Sequence, residues 1–148
     1  MLILEGTDAV GKSTVIKNLS GYDLYDRDKN ISHLFDLNIS LIERVEKLKE
    51  YLTKKDNHLI ILVNNDREEI ERRINLREKI DEYDRFAYLY NMIYLETYLY
   101  IEQKGLLKDR VFLVDCTDLN EEEEKNKVKE IVDYILNNSN DKIAKNQI

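Results

Sequence analysis

A chain of 148 residues with 43% hydrophobic and 36% charged side chains is one domain's worth of polypeptide with enough apolar surface for a real core. That mixture excludes a disordered chain, a collagen-like fibre and, with no apolar run near the roughly 20 residues a spanning helix needs, a membrane-spanning helix. A net charge of −7 disfavours a non-specific nucleic-acid coat, whose affinity comes from neutralising phosphates, while leaving room for a local basic cleft.

In chain order, residues 1–5 form a short apolar run closed by Gly6, which reads as a buried strand. A loop over 6–11 leads to a helix over 12–19, which stops at Ser20-Gly21. A second strand fits 22–25 and ends at Asp26. Residues 39–52 make an amphipathic helix with Leu41, Val45, Leu48 and Leu52 on one face. The third strand is 58–63. Helices over 67–80 and 83–103 follow, the second stopped by Gly105. A fourth strand spans 111–114. The last helix is 121–136, its four leading glutamates suiting the positive end of the helix dipole. The polar residues 137–148 are expected to fray. Strands alternating with helices predict one α/β domain over 1–136, three layers deep, with a small parallel sheet covered by helices on both faces. The lone cysteine, Cys116, excludes an internal disulfide and suits a reducing compartment. No basic leader with a cleavage site opens the sequence, so a cytoplasmic protein is the expectation. A homodimer stays open.

The chemistry is concentrated at Gly6-Thr7-Asp8-Ala9-Val10-Gly11-Lys12-Ser13, which fits G-x-x-x-x-G-K-[ST] between a predicted strand and a predicted helix. In such a P-loop the backbone N–H groups turn inward around phosphate oxygens, and the following helix aims its positive end at them. Lys12 then reaches the β- and γ-phosphates of ATP, Ser13 offers its hydroxyl to Mg²⁺, and Gly6, Asp8, Ala9, Val10, Gly11 and Thr14 complete the ATP-binding segment. The expected fold is therefore a P-loop fold.

With its neighbours the motif reads Glu5-Gly6-Thr7-Asp8-Ala9-Val10-Gly11-Lys12-Ser13-Thr14, which resembles the opening of thymidylate kinases, E-G-x-[DE]-x-x-G-K-[ST]-T. Asp26-Arg27-Asp28-Lys29-Asn30-Ile31-Ser32 resembles that family's D-R-x-x-x-S. Glu69 to Arg77, followed by Asp81-Glu82-Tyr83-Asp84, resembles its lid segment. The resemblance implies that Asp8 contacts a sugar hydroxyl of the acceptor nucleotide and that Arg27 grips the acceptor phosphate. It further implies that Asp26 orients Mg²⁺ through water. The family's catalytic arginine sits in the P-loop or in the lid. Because the P-loop position is Ala9, the resemblance implies a lid arginine, Arg73 or Arg77 before Arg72. Spacing by four residues puts Arg73 and Arg77 on one helix face.

The chain is shorter than the family pattern. Only residues 20–25 separate the first helix from Asp26, where thymidylate kinases have a further strand and helices that build much of the base pocket. The resemblance thus implies ATP- and Mg²⁺-dependent transfer to a thymidylate-like or modified pyrimidine monophosphate. A nucleoside, a nucleotide in DNA, and nucleotide binding without turnover are the alternatives. Outside these motifs, the tyrosines at 83, 90, 94 and 98 share a helical face and read as core rather than as a stacking platform. His33 and His58 have no ligand-spaced partner, Cys116 reads as a packed residue, and Asp66 and Asp115 end strands as Asp26 does. Glu121 to Glu124 read as a solvated helix start.

Overall fold

A computed structural model describes residues 1–7, 9–54 and 56–147, with side chains through 138. Four strands, β1 (Leu2–Gly6), β2 (Leu24–Asp26), β3 (His58–Val63) and β4 (Val111–Asp115), form one sheet in the order β2-β1-β3-β4. Every pairing is parallel, with Leu2 opposite both Leu24 and His58, and Leu59 opposite Val111. All five residues of β1 and five of the six in β3 are buried, as continuous apolar runs in a two-sided sheet should be.

Alternation along the strands sorts side chains onto two faces. Ile3, Leu59, Ile61 and Val63 pack with Leu48 and Leu52 of helix α3 (Leu41–Lys54) and with Ile93 and Ile101 of α6 (Ala87–Gln103). Leu2, Leu4, Ile60 and Leu62 pack with Val15 of α1 (Lys12–Asn18) and with Val128, Val132 and Ile135 of α7 (Glu121–Gln147). The chain is α/β, with helices over both faces of an all-parallel sheet. Among the described residues, no helix is long and apolar enough to cross a membrane.

Four helical segments depart from the periodicity. A short helix α2 (Lys29–Ser32) starts on the Asp28 side chain, which accepts from Asn30 N, where the pattern suggested only loop. The helix expected over 67–80 ends early, as α4 (Arg67–Asn75), with Leu76 N and Arg77 N bonding back three residues to Arg73 and Ile74. The helix expected over 83–103 is broken into α5 (Glu82–Arg85) and α6, at Phe86. Asp81 and Asp84 form a reciprocal capping box there, and a new N-terminus so strongly capped turns the chain before α6 begins. At the far end α7 continues past Leu136 to Gln147.

The order of strands decides where a ligand can sit. From β1 the chain passes through α1 to β2 on one side, then crosses to β3 on the other. At such a reversal the connections leave neighbouring strands in opposite directions and open a crevice beyond their carboxyl ends. Here that crevice lies beyond β1 and β3. Two hydrogen bonds fasten α6 over it: Thr7 Oγ1 donates to the Ala87 carbonyl (2.9 Å), and Asn64 N donates to Asn91 Oδ1 (2.8 Å).

Ile60, fully buried in β3 against the α1–α7 layer, gives a direct measure of that layer's packing. Ile60→Ala is expected to destabilise the fold by about 2–5 kcal/mol, read from urea unfolding; a loss within experimental error would mean that the α1–α7 layer is not packed on the sheet.

Candidate functional site

The loop between β1 and α1 is held in a conformation that its sequence pays for locally. Gly11 has φ +102°, and a Cβ built on it would lie 2.6 Å from Glu124 Oε2. At Gly6 a Cβ would meet the Leu62 carbonyl oxygen at 2.6 Å. Gly6 is therefore required by the close approach of backbone, and Gly11 by its left-handed conformation. Ala9, with φ 71°, and Arg27, with φ 65°, adopt the left-handed region without being glycine. Each such residue costs about 1–3 kcal/mol, and such strain collects at functional sites.

Around this loop the expected site residues divide into groups. Val10 is fully buried and anchors the loop in the core, whereas Ser13 is exposed at the start of α1. Asp8 lies outside the described residues. Lys12 is buried, and its Nζ sits 3.1 Å from Asp26 Oδ1 at the end of β2. Burial holds the Lys12 ammonium below its usual pKa, the Arg27 charge adds to this, and Asp26 opposes it. The motif lysine and the carboxylate expected to serve Mg²⁺ are thus brought together. Asp66 and Asp115 are otherwise engaged: Asp66 caps α4 through Glu69 N, and Asp115 accepts from the backbone and hydroxyl of Thr117.

On one flank, Gly6, Thr7, Arg27 and Ser32 line a recess of about 200 Å³ with Phe35, Asp81, Tyr83, Tyr90 and Tyr94. Arg27 Nη2 donates to the Gly6 carbonyl at 3.3 Å. The tyrosines are split by this geometry. Tyr94 is buried and stacks on Phe35 with ring centroids 4.2 Å apart. Tyr83, expected in the core, is instead 63% exposed and faces Tyr90 at 5.8 Å. The break at Phe86 places Tyr83 on α5 rather than on α6, so the helical face inferred from spacing does not exist there.

Beneath the recess, Glu5 is fully buried. It accepts from Ser32 Oγ, from Tyr94 OH (2.9 Å) and from Asp28 N (3.2 Å). Burial raises its pKa, against the pull of those hydrogen bonds and of Arg27.

On the other flank, Ala9, Gly11 and Thr14 line a cavity of about 450 Å³ with Arg72, Arg73, Leu119, Asn120, Glu121 and Glu124. Arg73 reaches the loop itself: Nη1 donates to the Ala9 carbonyl (2.9 Å) while Nε donates to Glu69 Oε1 (2.9 Å). Hydrogen bonds from Arg72 and then Arg73 hold the Glu69 carboxyl down at about 2. Arg77 does not share a helix face with Arg73, because α4 ends at Asn75. Its guanidinium donates to Asp84 Oδ1 at 2.7 Å, a carboxylate only 3% exposed. A larger apolar hollow of about 720 Å³ between α4 and the α5–α6 corner includes none of the expected site residues.

Glu124 is the residue that the sequence concealed. A run of four glutamates opening a helix signals solvation, and Glu121, Glu122 and Glu123 are exposed; Glu124 is 3% exposed and lies over Gly11. At the fourth position of α7 its side chain turns back toward the sheet, in line with Val128. Burial pushes its carboxyl up to about 7, partly offset by the Arg73 charge and reinforced by Glu121. Cys116 is fully buried, and burial raises its thiol to about 12, as a packed residue. Among the described residues there is no cluster of three or more His, Cys, Asp or Glu side chains able to hold a metal by themselves. In comparisons with known proteins, the chain matches no family model and no curated sequence.

The Glu124 carboxyl makes a pH-dependent contribution of definite sign. Between its ordinary value near 4.5 and about 7, the folded chain holds a proton there that the unfolded chain has lost, so this contribution declines as pH rises through that window and is gone above it. Glu124→Gln is expected to melt above the wild type at pH 8, with the gap closing toward pH 4.5; a gap independent of pH in thermal melts would refute the assignment.

Proposed function

We propose that the chain is a compact P-loop nucleotide kinase that transfers the γ-phosphoryl group of ATP, with Mg²⁺, to a nucleoside monophosphate. The observation that carries this reading is that one loop serves two hollows. Its first residues line the aromatic recess with Arg27, and its later residues line the cavity with Arg73. Hydrolysis or sensing needs one nucleotide site; transfer needs two, meeting at the phosphates.

The residues suit the groups they would hold. A left-handed glycine before the helix, a second glycine where a Cβ has no room, and a buried lysine at the start of α1 fit a polyphosphate. The donor would lie along Ala9, Gly11 and Thr14, with its phosphates at Lys12 and its nucleoside end in the cavity beside Arg73. Ser13 and Asp26 are the candidates for Mg²⁺, which when bound neutralises charge on the β- and γ-phosphates.

Catalysis in this reading is positioning and charge compensation. Lys12 would exchange its Asp26 partner for phosphate oxygens, leaving the Asp26 carboxylate available to help hold Mg²⁺. Arg73, held by Glu69 and the Ala9 carbonyl, is poised to meet the charge that spreads over the transferring group. Arg27 is suited to the acceptor's phosphate, because a guanidinium offers two parallel hydrogen bonds to such an anion. Stacking between the acceptor's base and the Phe35, Tyr83 and Tyr90 rings is the natural use of the recess walls. The Arg27 guanidinium in its lining favours a monophosphate over a nucleoside or a duplex end.

Two experiments test the reading. A coupled assay of ADP release, run over nucleosides, nucleoside monophosphates and DNA ends, is expected to respond to a monophosphate. Lys12→Ala should abolish that turnover in a chain that still folds, and Arg27→Ala should raise the acceptor's KM far more than that of ATP. Turnover without Lys12, or no response to any acceptor, would favour a binding module.

The two lid arginines should separate. Arg73→Ala is expected to lower kcat by about 10³-fold or more with little change in melting temperature. Arg77→Ala removes an ion-pair partner of the buried Asp84 carboxylate, which keeps its bond from Asp81 N, and should lower the melting temperature with a smaller effect on kcat. Equal kinetic losses in steady-state assays of the two variants would reverse the assignment.

A further inference from the structure

The Glu124 residue is 3% exposed, and its carboxylate lines the cavity on the Arg73 side of the loop. Among the described residues none makes a hydrogen bond to it and no cation stands within ion-pair distance. Arg73, whose charge it feels, is committed to Ala9 and Glu69. An ionised carboxylate is an acceptor with two oxygens and no donor. It therefore takes its hydrogen bonds from whatever fills the cavity.

We infer that Glu124 reads the sugar of the donor nucleotide, accepting hydrogen bonds from the ribose hydroxyls. This rests on the kinase reading of the loop. Phosphate oxygens cannot satisfy the ionised Glu124 carboxylate, which predominates above about pH 7, because they are acceptors and anionic. Among the remaining donors, the sugar hydroxyls are favoured by position. Glu124 Oε2 lies over Gly11, within the phosphate-binding loop, and the ribose is the group joined directly to the α-phosphate. The base is one group further along, toward the part of the cavity lined by Leu119 and Asn120. Glu124 is thus a specificity residue that makes a ribonucleoside triphosphate the preferred phosphoryl donor.

The test is equilibrium binding of Mg²⁺ complexes of ATP, 2′-deoxy-ATP, 3′-deoxy-ATP and 2′,3′-dideoxy-ATP to the full chain and to Glu124→Ala, by calorimetry. For the wild type, dideoxy-ATP should bind about 10- to 100-fold more weakly than ATP, the range for hydrogen bonds to a charged group. Glu124→Ala should bring ATP down to the dideoxy level and leave dideoxy-ATP nearly unchanged. Equal binding of ATP and dideoxy-ATP to the wild type overturns the inference without any variant and leaves the kinase reading intact. So does an equal loss for both ligands in Glu124→Ala. Inosine triphosphate, which lacks the exocyclic amine of ATP, covers the other donor: discrimination that follows this amine rather than the sugar would also overturn it. Failure of the wild type to bind any of these nucleotides would overturn the kinase reading and the inference together.

Discussion

The buried carboxylate of Glu5 is the constraint around which one half of the site is organised. It sits one residue before the loop, on a strand paired on both sides, where water cannot serve it. A buried carboxylate must find hydrogen-bond donors, and those it has found come from three separate places in the chain: the backbone after Arg27, Ser32 on α2, and Tyr94 on α6. Each partner is thereby fixed relative to β1. The exit of β2 is held so that Asp26 meets Lys12, while Arg27 takes up its left-handed backbone conformation and turns to the Gly6 carbonyl. Tyr94 is fixed with its ring on Phe35. The walls of the smaller recess are thus attached to the same strand that launches the loop.

The other half is organised by the loop's backbone. Ala9 presents its carbonyl to Arg73, and Gly11 presents a bare Cα to Glu124. These two contacts bring α4 and α7 to the loop, although α4 follows β3 and α7 follows β4. The arrangement places an acidic and a basic residue on the walls of one cavity. Burial raises the carboxyl, while the guanidinium lies between Glu69 and a carbonyl. The apolar layers beneath are continuous, so the polar contacts above them have a rigid base, as dense interiors require.

Two misreadings share a cause. The tyrosine face assumed that one helix ran from 83 to 103, and the Arg73–Arg77 pair assumed that another ran from 67 to 80. Periodicity carries both patterns without interruption, because exposed and buried positions keep the same spacing across a break. What ends the helices is local capping by Asp81 and Asp84 and the capture of Arg77 by a buried carboxylate seven residues on. Glu124 shows a different limit: its spacing four residues before Val128 puts it on the inward face of α7, but a charged residue in a run of four argues for solvent.

The sequence alone determined the features whose physics is local. Continuous apolar runs identified the buried strands, β3 to the residue, and the alternation with helices required a parallel sheet covered on both faces. The spacing of two glycines, a lysine and a serine marked the loop, because a tight turn leading into a helix needs those residue types in that order. Tertiary structure decided everything that depends on which distant segments meet. The strand order opens the crevice between β1 and β3. It also puts Asp26 against Lys12, Arg73 rather than Arg77 on the loop, and Glu124 over Gly11. The contacts made by Arg73, Glu124 and Asp26 join residues far apart in the chain, and their energies depend on burial and on charges supplied by other elements, neither of which is encoded in the spacing of neighbouring residues.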